Sequence, residues 1–332
     1  MDKILTVTIP AYNVEKYLEE CVGTLCVDER IEVLIVNDGS TDNTYRIAQK
    51  LCEEYPDIIK VINKMNGGHG SAVNAGMTNA TGRYFKVVDA DDWVDTGNML
   101  ELIEIMSDKD FEADMVVSPF DCVIGDKKKH KKCDALTVKN IKYFKQYNMK
   151  DVSDKFFARM HSIIFRTQIL KDNNIQLDEH CYYVDMEYNL FAIPYIKKVY
   201  FTDKSIYMYR LGYKEQSVSV KNMQKNRQQH ERVFERLIEY YCEQESNGTE
   251  GVGYIARGCA LMLENQIQIY LSLPYSKAVE KELKDMDVSV MTRCPQVYNS
   301  VTKKSVHLLR MSGYHLFRLA SFVYRRIYSK LK

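Results

Sequence analysis

Short apolar runs alternate with amphipathic stretches through residues 1–120. The runs predict strands at 4–9, 31–36, 58–62, 84–88 and 115–118, and the stretches between them predict helices at 14–26, 41–54, 71–78 and 99–106. Run 31–36 is apolar at nearly every position, which is typical of a strand buried in a parallel sheet. Repeated strand–helix units therefore predict a parallel sheet with helices on both of its faces.

The remaining sequence divides into a less regular part and a helical part. Residues 120–210 predict a charged hairpin tip at 127–132, strands at 161–165, 199–202 and 206–209, and a helix at 184–192. From residue 221 onward the spacing predicts only helices, at 222–245, 252–272, 276–286 and 303–330. The sequence thus predicts an α/β domain over 1–215, followed by a helical C-terminal region over 216–332.

The charge of the chain is balanced overall but not along its length. The 332 residues include 46 Lys and Arg and 45 Asp and Glu, and a net charge of +1 argues against a general nucleic-acid-binding protein. Residues 288–332, however, contain nine Lys or Arg and neither Asp nor Glu. The basic amphipathic helix predicted at 303–330 is of the kind that lies on an anionic membrane surface. Alternatively, its apolar side packs on the preceding helices and its cations are simply solvated.

The cysteines and the N-terminus indicate a cellular compartment. Nine Cys without a C-x-x-C pair predict reduced thiols and neither a disulfide framework nor a zinc site. The chain runs directly into its first predicted strand without a signal-peptide pattern. We therefore expect a cytoplasmic protein, at most peripheral on the inner face of the plasma membrane.

Polar clusters follow each of the first four predicted strands. They occupy residues 10–15, 37–42, 66–76 and 89–92. In an open α/β sheet, ligands bind at the carboxyl ends of the strands, so these clusters predict a ligand site at one edge of the sheet. Taken singly, several of them are equally consistent with turns and helix N-caps.

The cluster at 89–92 is the most informative of the four. Asp89, Asp91 and Asp92 place three carboxylates within four residues, and these repel one another unless a cation or hydrogen-bond donors compensate. Hard oxygen ligands suit Mg²⁺ or Mn²⁺. The sequence therefore predicts a divalent metal ion here.

The order and spacing of these clusters resemble the family 2 glycosyltransferases. The resemblance covers residues 3–210 and is close over 3–95. It implies a GT-A fold, a Rossmann-like mixed sheet flanked by helices, with a nucleotide-binding half at 1–95 and an acceptor half at 96–215. It also implies a nucleotide-sugar donor bound by Pro10, Ala11, Tyr12, Asn13, Glu15, Asp38, Lys64, Asn66, Gly68, His69, Asn74, Asp89, Ala90, Asp91 and Arg210.

Within that set the resemblance implies particular roles. Residues 10–15 and Asp38 would border the nucleobase, while Asp89 and Asp91 would contact the ribose and the diphosphate, with Asp91 holding Mn²⁺ or Mg²⁺. The chain has Val73 where many members have arginine, so Lys64 or His69 could supply the missing donor; His69 could equally make only a local hydrogen bond. Arg210 could clamp phosphate oxygens or be a surface residue, and the segment 216–219 resembles one that closes over the diphosphate.

The resemblance places the catalytic base in the segment 182–190. Val184 replaces the first acid of the usual pair, and Asp185 matches the base, with Glu187 as a local competitor. Transfer with inversion needs one carboxylate that accepts the proton of the acceptor hydroxyl. An acid that merely complements the helix dipole is the alternative. His161 is predicted near the acceptor pocket, by default as a core histidine with satisfied hydrogen bonds.

These features predict an inverting, metal-dependent glycosyltransferase that moves a sugar from a nucleotide-diphospho-sugar to a saccharide or lipid-linked acceptor in surface polysaccharide or glycolipid synthesis. The expected donor is a UDP-sugar. One alternative is a sugar-nucleotide nucleotidyltransferase, but that class usually has a Gly-rich, Arg-containing loop where this chain has residues 10–13. The other is a non-catalytic sugar-nucleotide-binding protein, against which the full set of aspartates counts.

Overall fold

A computed structural model describes residues 2–125, 129–133, 141–211 and 220–329. The chain forms two compact units, Met1–Gly212 and Tyr213–Lys332. The strands of the first unit are β1 (Leu5–Ala11), β2 (Ile31–Asp38), β3 (Ile59–Lys64), β4 (Tyr84–Val87), β5 (Trp93–Val94), β6 (Met115–Val117), β7 (Phe120–Ile124), β8 (Lys129–Cys133), β9 (Lys145–Asn148), β10 (Ile163–Arg166), β11 (Lys198–Phe201) and β12 (Tyr207–Leu211). Its helices are α1 (Leu18–Gly23), α2 (Thr44–Glu54), α3 (His69–Asn79), α4 (Thr96–Ser107), α5 (Met149–Val152), α6 (Thr167–Asp172) and α7 (Asp185–Phe191), with 3₁₀ turns at Met160–Ser162 and Ile193–Tyr195.

The main sheet is mixed and has eight strands in the order β3-β2-β1-β4-β10-β6-β11-β9. The first four are parallel, as the alternating pattern predicts, whereas β10 runs antiparallel to both of its neighbours. A second sheet has the order β5-β12-β7-β8, and β7 and β8 form an antiparallel hairpin whose tip lies outside the described residues. The strongly apolar runs form the centre of the main sheet because a strand covered by helices on both faces needs apolar residues on both sides.

Strand register brings the polar clusters to one edge of this sheet. Ala11 of β1 pairs with Asn37 of β2, and Asp38 pairs with Lys64 of β3. Thr8 pairs with Val87, so that β4 also ends near this edge, and Asp89 follows two residues later. The carboxyl ends of four parallel strands therefore meet where the sequence predicts the ligand site.

The second unit is helical throughout its described residues. Its helices are α8 (Val220–Lys225), α9 (Arg227–Ser246), α10 (Val252–Ser272), α11 (Lys277–Arg293), α12 (Pro295–Asn299), α13 (Lys304–Met311) and α14 (Phe317–Ser329). The prediction of one helix over 303–330 is wrong, because Gly313 and Tyr314 adopt φ of 60° and 71° and separate α13 from α14. Such left-handed residues end a helix. No helix among the described residues is both long and apolar enough to cross a membrane.

Candidate active site

The loops that follow β1 and β2 are joined by hydrogen bonds. Asn13 adopts a φ of 54° and accepts a hydrogen bond from the backbone N–H of Thr41 through Oδ1 at 2.8 Å. Glu15 accepts hydrogen bonds from the backbone and the side chain of Asn43 at 3.0 and 2.9 Å. Pro10 and Ala11 form the end of β1 itself, and Tyr12 is 51% exposed. Asn13 and Glu15 thus shape a rim above which the Tyr12 ring is accessible.

Asp38 is fully enclosed and has its negative charge compensated. Its side chain accepts hydrogen bonds from Lys64 Nζ at 2.8 Å and from the backbone N–H groups of Gly67 and Gly68 at 2.9 and 2.8 Å, and the residue is only 2% exposed. Asn66 donates through Nδ2 to the backbone oxygen of Asp38. Three of the predicted donor-binding residues, Lys64, Asn66 and Gly68, therefore surround a fourth.

His69 begins α3 and contacts the acidic cluster directly. Its Nε2 lies 2.9 Å from Asp89 Oδ1. Burial opposes the charged imidazolium, but the hydrogen bond to Asp89 and the charges of Asp89, Asp185 and Asp38 raise the pKa of His69. The same contact lowers the pKa of Asp89 against the effect of its burial. His69 thus partly compensates one of the carboxylates.

Asp92, which the resemblance leaves without a role, is the most deeply buried of the three. It is 1% exposed and accepts hydrogen bonds from Tyr207 Oη at 2.5 Å and from the backbone N–H of Arg210 at 2.7 Å. Burial, followed by the charges of Asp89 and Asp91, raises the pKa of Asp92 to about 9. Burial and Asp89 also raise the pKa of Asp91, whereas the neighbouring Ala90 is simply buried.

Arg210 lies near the end of β12 in the second sheet and contacts this cluster. Its guanidinium donates to the backbone oxygen of Asp91 at 2.7 Å and to Glu20 at 2.6 Å, and it lies 4.5 Å from the centre of the Trp93 ring. Arg210 is therefore held in place by contacts within the protein, and segment 216–219 lies outside the described residues.

One group of side chains has the spacing of a metal site. Ligand atoms of Asp89, Asp92 and His161 all lie within 4.8 Å of one another. The ring of His161 packs against Tyr207 and Tyr209 at 4.7 and 4.6 Å, and its buried Nδ1 has no hydrogen-bond partner among the residues that the structure describes. The expectation that His161 is a satisfied core histidine is thus wrong for Nδ1. Two carboxylates and an imidazole with an unused nitrogen fit a divalent cation.

Asp91, the predicted metal ligand, is not a member of that group. Its assignment remains a prediction from the sequence. Lys86, fully buried in β4, donates to the backbone oxygen of His161 at 2.8 Å and so helps to fix the position of this histidine. No pattern in the sequence indicates that a lysine in a strand centre has this role.

Asp185 is half-buried at the start of α7. Burial raises its pKa, with the charge of His69 acting in the opposite direction and that of Asp89 adding to the rise. Glu187, the competing acid, is completely buried and accepts a hydrogen bond from the backbone N–H of Asp178 at 2.7 Å. Of the two acids, Asp185 is therefore the one that a substrate can reach.

Asn74 connects α3 to the segment that leads into α7. Its amide exchanges two hydrogen bonds with the backbone of Leu177, each 2.9 Å long, in the manner of a paired strand. Beside it, Gly70 is packed so closely on Asp178 that an added Cβ would lie 2.1 Å from the backbone oxygen of Asp178. In this structure Asn74 holds the acceptor-side segment, whereas the resemblance implies a contact with the donor.

The comparison with protein families agrees with this geometry. Residues 6–173 match the family model described as Glycosyl transferase family 2. The glycosyltransferase GlyA of Streptococcus pneumoniae is 33% identical over 127 residues, which are 36% of this chain and 17% of that protein. An uncharacterized glycosyltransferase of Bacillus subtilis, EpsJ, is 27% identical over 215 residues, or 63% of this chain and 62% of that protein. The chain therefore spans less than two thirds of the length of either relative.

Solved structures extend the likeness over both units. Staphylococcus aureus TarS 1–349 in complex with UDP-GlcNAc has a TM-score of 0.62 at 16% identity, covering 98% of this chain and 90% of that one. The mannosyltransferase PcManGT of Pyrobaculum calidifontis, in complex with GDP-Man and Mn²⁺, has a TM-score of 0.50 at 14% identity, covering 98% and 87%. Such identities speak to the fold alone, and they confirm the predicted GT-A fold.

Proposed function

This chain belongs to glycosyl transferase family 2, and we propose that it is an inverting enzyme that transfers a sugar from a nucleotide-diphospho-sugar to an acceptor hydroxyl. The observation that carries the proposal is the acidic edge, by which we mean Asp89, Asp91, Asp92 and Asp185. Asp89 links the members of this edge. It forms a hydrogen bond with His69, and its negative charge contributes to the raised pKa of Asp185.

Asp185 accepts the proton of the incoming hydroxyl. A single displacement with inversion needs one base on the acceptor side, and the raised pKa of Asp185 suits a base that works near neutral pH. The alternative is that Asp185, at the N-terminus of a short helix, only complements the helix dipole. Its electrostatic contact with His69 and Asp89 favours the catalytic role.

The nucleotide binds at the rim formed by residues 10–15 and at Asp38. The half-exposed ring of Tyr12 offers a face for a base to stack on, and Asp38 is fixed in one orientation by Lys64 and two backbone N–H groups. Structures of TarS have UDP-GlcNAc and UDP bound, which supports a UDP-sugar as donor here.

Mn²⁺ or Mg²⁺ binds at the acidic edge. Asp89, Asp92 and His161 are suitably spaced to hold it, and Asp91 is the further ligand that the family resemblance implies. When bound, such a cation neutralises the charge that gathers on a departing diphosphate. Arg210, anchored by Glu20 and Trp93, adds positive charge on the same side.

The acceptor is a saccharide or a lipid-linked saccharide in surface polysaccharide synthesis. A further relative, 35% identical over 118 residues, is the minor teichoic acid biosynthesis protein GgaB of Bacillus subtilis, and another, 39% identical over 111 residues, is the chondroitin synthase of Pasteurella multocida. Both names support polymer assembly as the setting for this chain.

The second unit attaches the enzyme to the cytoplasmic face of the membrane. The apolar residues of α13 and α14 form two sets. Val306, Leu309 and Phe317 are buried, whereas the exposed set consists of Leu308, Met311, Leu319, Phe322 and Val323, together with Leu316 between the two helices. Arg318, Arg325 and Arg326 are also exposed on α14. An exposed apolar face with arginines and no acids suits an anionic bilayer.

Two experiments test these assignments. UDP release from a panel of UDP-sugars should require Mn²⁺ or Mg²⁺, and the anomeric configuration of the product, read by NMR, should be inverted. If no nucleotide-sugar in the panel supports release, the proposed function is wrong.

Replacing Leu319 and Phe322 by Ser should weaken sedimentation with phosphatidylglycerol vesicles, with Val288→Ser on α11 as control. Unchanged sedimentation would discard the membrane role.

A further inference from the structure

The segment 177–184, which we call the acceptor strap, is fixed at several points before it reaches Asp185. Asn74 pairs with the backbone of Leu177, and Glu187 accepts a hydrogen bond from the N–H of Asp178. The backbone N–H of His180 donates to the backbone oxygen of Gly67 at 2.5 Å. The strap therefore takes its position from α3, from α7 and from the loop that also holds Asp38.

Two residues of the strap have unusual backbone conformations. His180 and Tyr183 adopt φ of 54° and 71°, in the left-handed region that side chains other than glycine rarely occupy. Such a conformation costs free energy, and the cost is sustained where the surrounding contacts enforce the conformation, commonly at ligand sites. The hydrogen bonds to Asn74, Glu187 and Gly67 supply that enforcement.

These conformations present Tyr182 to solvent. Tyr182 is 51% exposed, whereas Cys181 before it and Val184 two positions after it are only 5% and 1% exposed. The rings of Tyr182 and Tyr183 meet edge to face at 6.5 Å, and the charge of Asp185 acts on the hydroxyl of Tyr183. The exposed ring of Tyr182 therefore contacts Tyr183, whose hydroxyl interacts electrostatically with the proposed base.

We propose that Tyr182 is the platform on which a neutral pyranose ring of the acceptor stacks, placing one of its hydroxyls at Asp185. The inference rests on the proposed function and names the acceptor class. Aromatic rings have an electron-rich face, which suits the C–H bonds that line one face of a pyranose. A flat ring near a carboxylate is therefore complementary to a sugar on both its apolar and its polar side.

Charge distinguishes this acceptor from a phosphate-bearing one. Besides the buried Glu187, residues 177–187 include Asp178, Glu179 and Asp185 and neither Lys nor Arg. A phosphodiester bound at Tyr182 would face this negative charge without a cation from the strap, whereas a neutral sugar would not. The acceptor residue that enters this site is accordingly uncharged.

The test measures UDP release from the UDP-sugar that the wild-type enzyme uses, with Mn²⁺, in the presence of methyl glycosides of glucose, galactose and N-acetylglucosamine, or of glycerol 3-phosphate. At least one methyl glycoside should stimulate release, and glycerol 3-phosphate should not. Tyr182→Ala should raise the KM for that glycoside about tenfold with little change in kcat, because stacking is lost but Asp185 remains. Tyr182→Phe keeps the ring and should keep the KM.

Tyr182→Leu is a second variant that retains apolar bulk without an aromatic face, and it should behave like Tyr182→Ala. Tyr195→Ala, at another exposed tyrosine (40%), serves as the matched control and should match the wild type. The inference is overturned if no methyl glycoside stimulates release, if glycerol 3-phosphate does so instead, or if Ala and Leu leave the KM unchanged. Calorimetry with UDP distinguishes a failure of the inference from a failure of the proposed function. If the protein binds UDP and cleaves UDP-sugars but its KM for the glycoside does not depend on Tyr182, only the inference is contradicted.

Discussion

Two buried aspartates at the same edge of the sheet, Asp38 and Asp92, differ in how their charge is compensated. Asp38 has the ammonium group of Lys64 and two backbone N–H groups around it. Asp92 has one hydroxyl and one backbone N–H, and burial with its acidic neighbours raises its pKa to about 9. The charge of Asp38 is compensated by groups of the protein itself, whereas the surroundings of Asp92 favour an added cation. The contrast distinguishes the proposed nucleotide-binding corner at Asp38, which is preformed, from the proposed metal site at Asp92.

The largest effect is expected at Asp185, the proposed base, which is not one of the proposed metal ligands. Asp185→Asn removes the proposed base while leaving Asp38 and the proposed metal ligands intact, so kcat should fall by about 10²–10⁴. Calorimetry should show UDP binding close to that of the wild type. Asp172→Asn, at an exposed acid of α6, is the control. Turnover of Asp185→Asn equal to that of the control would remove Asp185 as the base.

The second unit contains an acid that resembles Asp38 rather than Asp92. Asp287 is fully buried and is bonded by Arg310 at 2.7 and 2.8 Å and by Tyr314 Oη at 2.7 Å. Asp287→Ala leaves a buried guanidinium without its partner and should lower the free energy of unfolding by about 3–5 kcal/mol in urea titrations. Replacing both partners, with Asp287→Leu and Arg310→Met, should recover most of that loss. Equal stability of the single and the double variant would contradict this account of the pair.

The metal dependence of UDP binding should distinguish the two corners directly. In calorimetry, Asp91→Ala should weaken UDP binding about tenfold or more when Mn²⁺ is present and change it little without metal. Asp38→Asn should weaken binding in both conditions, because its partners are part of the protein. Asp110→Ala, at an exposed acid, provides the baseline. If Asp38→Asn and Asp91→Ala show the same metal dependence, the comparison fails.

A smaller effect concerns the pH dependence of transfer. Asp185 must be deprotonated to act, and burial raises its pKa above the ordinary 3.8, so kcat/KM should decline with falling pH earlier than for a solvated aspartate. His69, Asp89, Tyr183 and Tyr209 face this group, and protonated His69 moderates the rise. Asp185→Glu should move the acid limb of a pH–rate profile. A profile whose acid limb is the same in both enzymes would assign that limb to another group.

The first half of the fold could be predicted because its information is local. Buried parallel strands are continuous apolar runs, and the clusters after them are turn-forming, so β1 to β4 and the binding edge follow from the order of residues. The antiparallel position of β10 and the second sheet could not be predicted, because short strands such as β5 are specified by partners more than 100 residues away, as in the pairing of Trp93 with Met208.

The candidate site follows the same division. The residue types at Asp38, Asp89 and Asp185 indicate chemistry from the sequence alone. The partners of Arg210 and Asn74 could not be found in this way, since Glu20 lies 190 positions from Arg210, and Leu177 lies 103 positions from Asn74. Both side chains are polar residues near a ligand site, a pattern that cannot distinguish a group that touches a ligand from one that braces the protein.

The pairing of Asn74 with Leu177 has a consequence for exchanging specificity between related enzymes. Helix α3 and the acceptor strap share hydrogen bonds and a contact at Gly70 that leaves no room for a methyl group. A strap transplanted from a relative without its own α3 would lose these attachments, and the ring it carries would no longer be aimed at the reacting hydroxyl. Chimeras should therefore exchange residues 67–79 and 177–187 together, as a single unit.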